Sequence, residues 1–508
     1  MSEIKPKRAR WWPPLAIIGV STLAFVAVRL VDVWPYEQKR TFVLIGITSV
    51  MVILLLVWWL FYSRLSLRVR VIGVLILLSP LLLFRHRGMT GDFIPIFEFR
   101  FGKKKADVTG SALANANAER PAFPQLFGPG RDARLAGPEL DPDWAKSPPQ
   151  LIWKQPIGAG WGAFVISGNR AVTQEQDGAN EAVTCYEVAT GKLLWKTTNP
   201  GRYDDRVAGI GPRATPTIAE DRVFALGALG TLQCLDLATG KPHWTRDMRA
   251  DAGGVAVPEW GFASSPLVHE GKVIVSAGGA KSLLAYRADN GEIAWTGGSR
   301  PVNYSSPFLY TLAGQPQIVM FNKEKITAHD PETGAVLWEK DWGKGLPHVS
   351  RPIPISDRRI FFSSGYGVGS ALLDISRDSQ GKFQVDEVWR TPRFQSKFAT
   401  PVEKDGYIYG VSDGIFACLD PRDGTVKWKN GRYGHGQGLL VGDYYLQMTE
   451  EPGHLVLLKP TPEAPNELAR IPVFEDKTWN PLALSGDLLL MRTDQEAACY
   501  RLPIRKAE

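Results

Sequence analysis

The chain has 508 residues, of which 44% are hydrophobic and 22% charged, and its formal net charge is +7. That length and apolar share exclude a disordered chain, and only four cysteines exclude a disulfide-stapled mini-domain. The basic excess is not a nucleic-acid footprint, because much of it sits in short runs beside apolar stretches: Lys5, Lys7, Arg8 and Arg10; Arg64, Arg68 and Arg70; Arg85 and Arg87; and Lys103, Lys104 and Lys105.

Residues 1–92 read as a membrane anchor. Apolar runs at 14–33, 41–62 and 69–84 predict three transmembrane helices, the third short and dependent on flanks at the interfaces. No small-x-small cleavage site follows the first run, and two more apolar runs do, which argues against a removed signal peptide. The basic N-terminus and the Arg64–Arg70 stretch predict a cytoplasmic side. An odd number of crossings then places the rest of the chain outside the inner membrane, in the periplasm of a Gram-negative source. Lys103–Lys105 on that outer side counts mildly against this orientation.

Residues 93–148 predict a linker and docking segment. The alternation FIPIFEFRF at 93–101 fits a segment at the membrane surface and a plain apolar linker equally well. The Ala-, Asn- and Asp-rich stretch 104–121 reads as a flexible tether. Residues 123–149, with Pro, Gly and scattered apolar side chains, are expected to pack on one face of the domain that begins at 149.

From 149 to 504 the sequence repeats. CLDLATGKPHW at 234–244 returns as CYEVATGKLLW (185–195), AYRADNGEIAW (285–295), AHDPETGAVLW (328–338) and CLDPRDGTVKW (418–428). In each copy a Gly lies four residues before the Trp, and an Ala or Cys lies six before that Gly. The unit reads as strand, turn and strand, with Gly where the backbone needs positive φ and Trp on one face of the second strand. One hairpin cannot bury an indole, so neighbouring copies must stack on it. Tryptophans at 153, 195, 244, 295, 338, 389 and 428 space the copies as four-stranded propeller blades do. Residues 377–381 lie further from Trp389 and predict a lengthened hairpin there. A weaker copy ends near Phe474, and 482–502 lacks a final Trp strand, which the orphan LIWKQPI around Trp153 can supply. The prediction is an all-β, eight-bladed β-propeller closed by its own two ends.

These motifs resemble the tryptophan-docking repeats of the quinoprotein, or PQQ-type, β-propellers over roughly 149–504. The resemblance implies the fold more than an activity, because the superfamily holds both PQQ dehydrogenases and non-catalytic propellers such as the outer-membrane-protein assembly propeller. The dehydrogenases carry a disulfide between adjacent cysteines beside the cofactor. Here Cys185, Cys234 and Cys418 share one repeat position, held by Ala285 and Ala328 elsewhere, and Cys499 sits in the matching last strand, so they read as small core residues. No CxxC or His-rich cluster suggests a metal.

A second column aligns the innermost strands. The residue before a recurrent Pro, or its equivalent, is Gly162, Thr215, Ser265, Ser306, Arg351, Thr400, Gln437 and Asn480, one per blade. That ring around the channel, with Arg213, Lys397, His348 and His435 nearby, suits an anionic small molecule, and Arg213, Arg351, Lys397, His435, Gln437 and Asn480 form the candidate ligand site. Equally, it caps strand ends and binds water. The column lacks an acid, and Asp236, Asp330 and Asp420 read as Asx turns. The reading is a non-catalytic binding or scaffold propeller with a protein or peptide partner, no assigned cofactor and no metal. One alternative is a PQQ- and calcium-dependent dehydrogenase, with Trp161 or Trp479 stacked on the quinone. Another is a cell-envelope assembly factor, against which stands the lack of a lipobox cysteine near the N-terminus.

Overall fold

The computed structural model describes residues 10–31, 37–102, 105, 107–110, 120–205, 207–343 and 345–505. Lys5, Lys7, Arg8, Lys103 and Lys104, and most of the predicted tether, lie outside them. The chain divides into two compact units: residues 1–104 with the loop residues 206–209, and residues 105–205 with 210–508.

The first unit holds three helices, α1 (Trp12–Leu30), α2 (Glu37–Val57) and α3 (Leu67–Leu83). A five-residue π turn, Trp58–Tyr62, continues α2. Pro13 and Pro14 sit in the first turn of α1, where a missing N–H costs nothing. Two helices, Trp12–Leu30 and Gln38–Tyr62, are long and apolar enough to cross a membrane. This corrects the expectation of three spans. The third helix forms, but its 17 residues reach only about 25 Å at 1.5 Å per residue, short of a bilayer core of about 30 Å. Within residues 93–101, Pro95–Phe99 pairs antiparallel with Phe84–Met89 as a hairpin.

The second unit is an eight-bladed β-propeller. Blades 1 to 7 span 165–200, 217–247, 267–297, 308–341, 353–391, 402–432 and 438–474, each built on a four-stranded antiparallel meander running from the inside outward, and Arg134–Leu135 adds a fifth, parallel strand beside Gly438–Val441 of blade 7. Blade 8 takes three strands from 483–501 and its outer strand from Gln150–Pro156, with Cys499 opposite Trp153. Closure from both ends removes the open edge a sheet ring would otherwise present. Val108–Thr109 adds a short fifth strand outside Gln150–Pro156.

The indoles form the seams. The indole N–H of Trp153, Trp195, Trp244, Trp295, Trp389 and Trp428 donates to a backbone carbonyl of the next blade's turn (Val188, Leu237, Ala288, Pro331, Pro421 and Thr461) at 2.8–3.1 Å. Trp338 departs from this pattern and donates to Gln317 Oε1 of its own blade at 2.6 Å. The lengthened hairpin of blade 5 explains the exception: its turn Gly381 has open space around it, whereas Gly240, Gly291, Gly334 and Gly424 each lie against the preceding indole.

The cysteines lie opposite the seam tryptophans: Cys185 with Trp195, Cys234 with Trp244 and Cys418 with Trp428. All four are free and buried. Burial pushes the Cys185 and Cys418 thiols up to about 12, leaving them un-ionised and inert.

Candidate functional site

The column of one residue per blade forms a girdle of hydrogen bonds between innermost strands. Ala163 N donates to Thr215 Oγ1, Thr215 N to Ser265 Oγ and Ser265 N to Ser306 Oγ, each at 2.9 Å. Further round, Thr400 N donates to Gln437 Oε1 at 3.2 Å, and Asn480 Nδ2 donates to the Gly162 carbonyl at 2.8 Å. A short hydroxyl or amide reaches the neighbouring backbone at this radius, which accounts for the Thr, Ser, Gln and Asn in the column.

The segment 123–135 lies across one end of this ring. Phe123 exchanges backbone hydrogen bonds with Ile166 of blade 1, Pro124 accepts from Ile218 N of blade 2, and Ala133 accepts from Leu440 N of blade 7. Arg131, 5% exposed, donates to the Ser265 and Pro266 carbonyls at 2.8 and 3.1 Å and lies over the Phe308 ring. Burial lowers the pKa of its guanidinium to about 9. Arg351 belongs to this closed end: Nη2 donates to the Asp132 carbonyl at 3.0 Å and Nη1 to Tyr310 Oη at 3.3 Å. Its place in the column is thus an anchor for the segment below the ring.

The opposite mouth is built from residues that precede the inner strands, and it is aromatic. Trp161 and Trp479 have ring centroids 5.1 Å apart, Phe398 lies 5.0 Å from Trp479, and His435 lies 5.7 Å from Phe398. These four rings come from blades 1, 8, 6 and 7. Across the mouth Trp260 and Tyr304 stack at 5.1 Å. The Lys477 ammonium sits 3.7 Å from the Trp479 centroid and 4.8 Å from that of Trp161. Arg213 lies over the Tyr203 ring and donates to the Trp260 carbonyl at 2.5 Å, and burial lowers its pKa.

Of the six predicted ligand residues, the structure brings Lys397 and His435 together, Nζ to Nε2 at 3.2 Å. Arg213 stands elsewhere on the same rim, Gln437 and Asn480 belong to the girdle, and Arg351 faces the closed end. Sequence reasoning missed the acids. Asp413, in the SDG turn of blade 6, lies 3.2 Å from the Lys397 ammonium. Glu450, 5% exposed, accepts from Trp479 Nε1 at 2.7 Å and from His435 N at 3.0 Å. Both sit in turns outside the aligned column, so only their nearness to a Gly or Pro in the chain hinted at a place on the rim. His348, the other histidine near the column, is fully buried against Phe321, and burial pushes it down to about 4. His329 is a core residue bonded to Gly334 O and Thr327 Oγ1.

A quinone with calcium does not fit these residues. Both indoles that would seat the ring already hold the Lys477 ammonium, and both Glu450 oxygens accept hydrogen bonds. The ammonium groups of Lys397 and Lys477 would also repel a divalent cation beside either acid.

The family described as outer membrane protein assembly factor BamB matches residues 147–251 and 179–430. A BamB of Burkholderia pseudomallei is 23% identical over 317 residues, covering 58% of this chain and 75% of the relative. A BamB of Moranella endobia is also 23% identical, over 46% of this chain and 61% of its own length. Among solved structures, the crystal structure of BamB from Moraxella catarrhalis aligns over 70% of this chain with a TM-score of 0.51 at 14% identity. A europium-containing methanol dehydrogenase aligns over 75% with a TM-score of 0.57 at 10% identity, and at such identities both alignments speak to fold alone. The matched stretch, 147–430, covers more than half of the sequence, and the chain belongs to the BamB-type family of PQQ-like repeat propellers.

Proposed function

We propose that this chain is a membrane-anchored, non-catalytic propeller that binds protein segments during cell-envelope protein assembly. Family membership over 147–430 is the observation that carries the reading. It favours the assembly-factor alternative over a generic scaffold, and the apolar helices Trp12–Leu30 and Gln38–Tyr62, long and apolar enough to cross a membrane, support an anchor as part of the reading. In this reading the anchor lies in the inner membrane and the propeller outside it.

The aromatic mouth is the binding surface. Rings from several blades with cations between them suit an extended, apolar-rich segment carrying acidic groups, the character of an unfolded envelope protein. Arg213, partly exposed on the rim, meets its carboxylates, while Lys397 and His435, each 1% exposed, keep the floor rigid with Gln437 and Asn480. The test places a photo-crosslinking residue at Tyr304 in the full-length chain. Adducts with envelope proteins, reduced when Trp260 is also replaced by Ala, are the expected result. Irradiation yielding no adducts beyond those of a residue placed at Asp289, on the outer surface, would refute it.

A further inference from the structure

The anchor unit holds a cleft of about 430 Å³ between the start of α1 and the end of α2. Its floor is apolar, formed by Ile17, Leu54 and Val57, and its rim carries Arg10 and Arg64 with Trp12 and Trp58. Three features of this cleft go unused by the fold. Arg10 and Arg64 are both exposed, and among the described residues neither has an ion-pair or hydrogen-bond partner. Trp58 is only 6% exposed, yet its indole N–H meets no acceptor. The π turn Trp58–Tyr62 widens the helix there and turns Trp58, Phe61 and Tyr62 all toward the cleft.

These features share one chemistry. Guanidinium groups pair with phosphate oxygens through two parallel hydrogen bonds. A buried N–H without a partner costs about 1–3 kcal/mol, which an ester or phosphate oxygen would recover. The apolar floor takes an acyl chain, and Trp and Tyr belong at the level of lipid headgroups. A zwitterionic lipid brings its own ammonium, which competes with the arginines, whereas an anionic lipid does not. We propose that the cleft between α1 and α2 binds an anionic phospholipid, its phosphate held between Arg10 and Arg64 and its ester region facing Trp58. This rests on the membrane-anchored reading above.

The test uses the full-length chain in detergent supplemented with equal phosphatidylglycerol and phosphatidylcholine, with retained lipid counted by native mass spectrometry. Wild type is expected to retain phosphatidylglycerol at roughly thirtyfold preference, as two basic residues at about 1 kcal/mol each would give. R10Q/R64Q should fall to near parity, R10K/R64K should keep most of the preference, and R85Q/R87Q should keep all of it. Equal retention of the two lipids by wild type, or an unchanged preference in R10Q/R64Q, would overturn the site. Alkaline carbonate washing of membranes reports on the anchor separately. Release of wild type would overturn anchor and lipid site together, while retention without a lipid preference would overturn the lipid site alone.

Discussion

A turn glycine in a docking seam answers to two constraints, and only one of them is local. Gly240 has φ of 72°, which the turn requires, and a Cβ there would lie 2.5 Å from the Trp195 ring of the preceding blade. Gly381 has φ of 81° but nothing within 4 Å of a Cβ. Gly240→Ala should therefore cost about 3–4 kcal/mol, backbone strain plus overpacking, while Gly381→Ala costs only the strain of about 1–2 kcal/mol. Thermal melting of the full-length chain distinguishes the two. Glu181 gives a pH prediction. Its carboxyl bridges blades 1 and 2 by accepting from Ala228 N at 2.9 Å, and burial raises it to about 7 from 4.5. The folded state thus holds a proton that the unfolded chain releases, so this contribution is complete below pH 4.5 and lost as pH rises through 7. Glu181→Gln should be roughly 2–3 kcal/mol more stable relative to wild type at pH 8 than at pH 4, checked by denaturant titration at both. The Gly-to-Trp spacing was legible in the sequence because one blade sets it. The docking of each indole was not, since Trp338 repeats the motif faithfully and still turns to Gln317 because the next hairpin is longer.

At the scale of elements, the segment 123–135 behaves as a built-in stopper. Its hold depends on Arg131 and Arg351, whose donors satisfy the carbonyls of Ser265, Pro266 and Asp132. Arg131→Met removes those bonds and strips the Ser265 carbonyl of its donor, while the Pro266 carbonyl keeps Thr217 Oγ1 at 2.6 Å, at a cost of about 1–3 kcal/mol. Faster amide exchange at residues 123–135, with blade cores unchanged, is the expected signature. The sequence supported packing of this stretch on a propeller face, because its scattered Phe and Trp need cover. It gave no sign that Arg351 serves the stopper, since a column position fixes where a Cα stands and leaves the direction of a long side chain to its surroundings. The same reason hid the rim. Glu450 and Asp413 lie outside the aligned column, in the turns between the second and third strands of blades 7 and 6, and the packing of those turns against the inner-strand approaches brings them to Trp479 and Lys397.

For the whole molecule, the eight-blade count followed from Trp spacing once Trp153 was assigned to the last sheet, where it pairs with Cys499. The mouth predicts a binding protein. Addition of PQQ and calcium to the full-length chain should leave its melting temperature unchanged and give no dye reduction with alcohols, and a melting shift beyond about 4 °C would contradict that. The shared sheet also sets a schedule. A ribosome delivers the ring's clasp late, because Gln150–Pro156 must wait for Glu496–Arg501 to emerge before its inner side is covered. Val108–Thr109 is made earlier still and can shield the opposite side in the meantime. A premature stop anywhere before codon 496 therefore leaves an unlatched ring, a target for quality-control proteases rather than a shorter working protein.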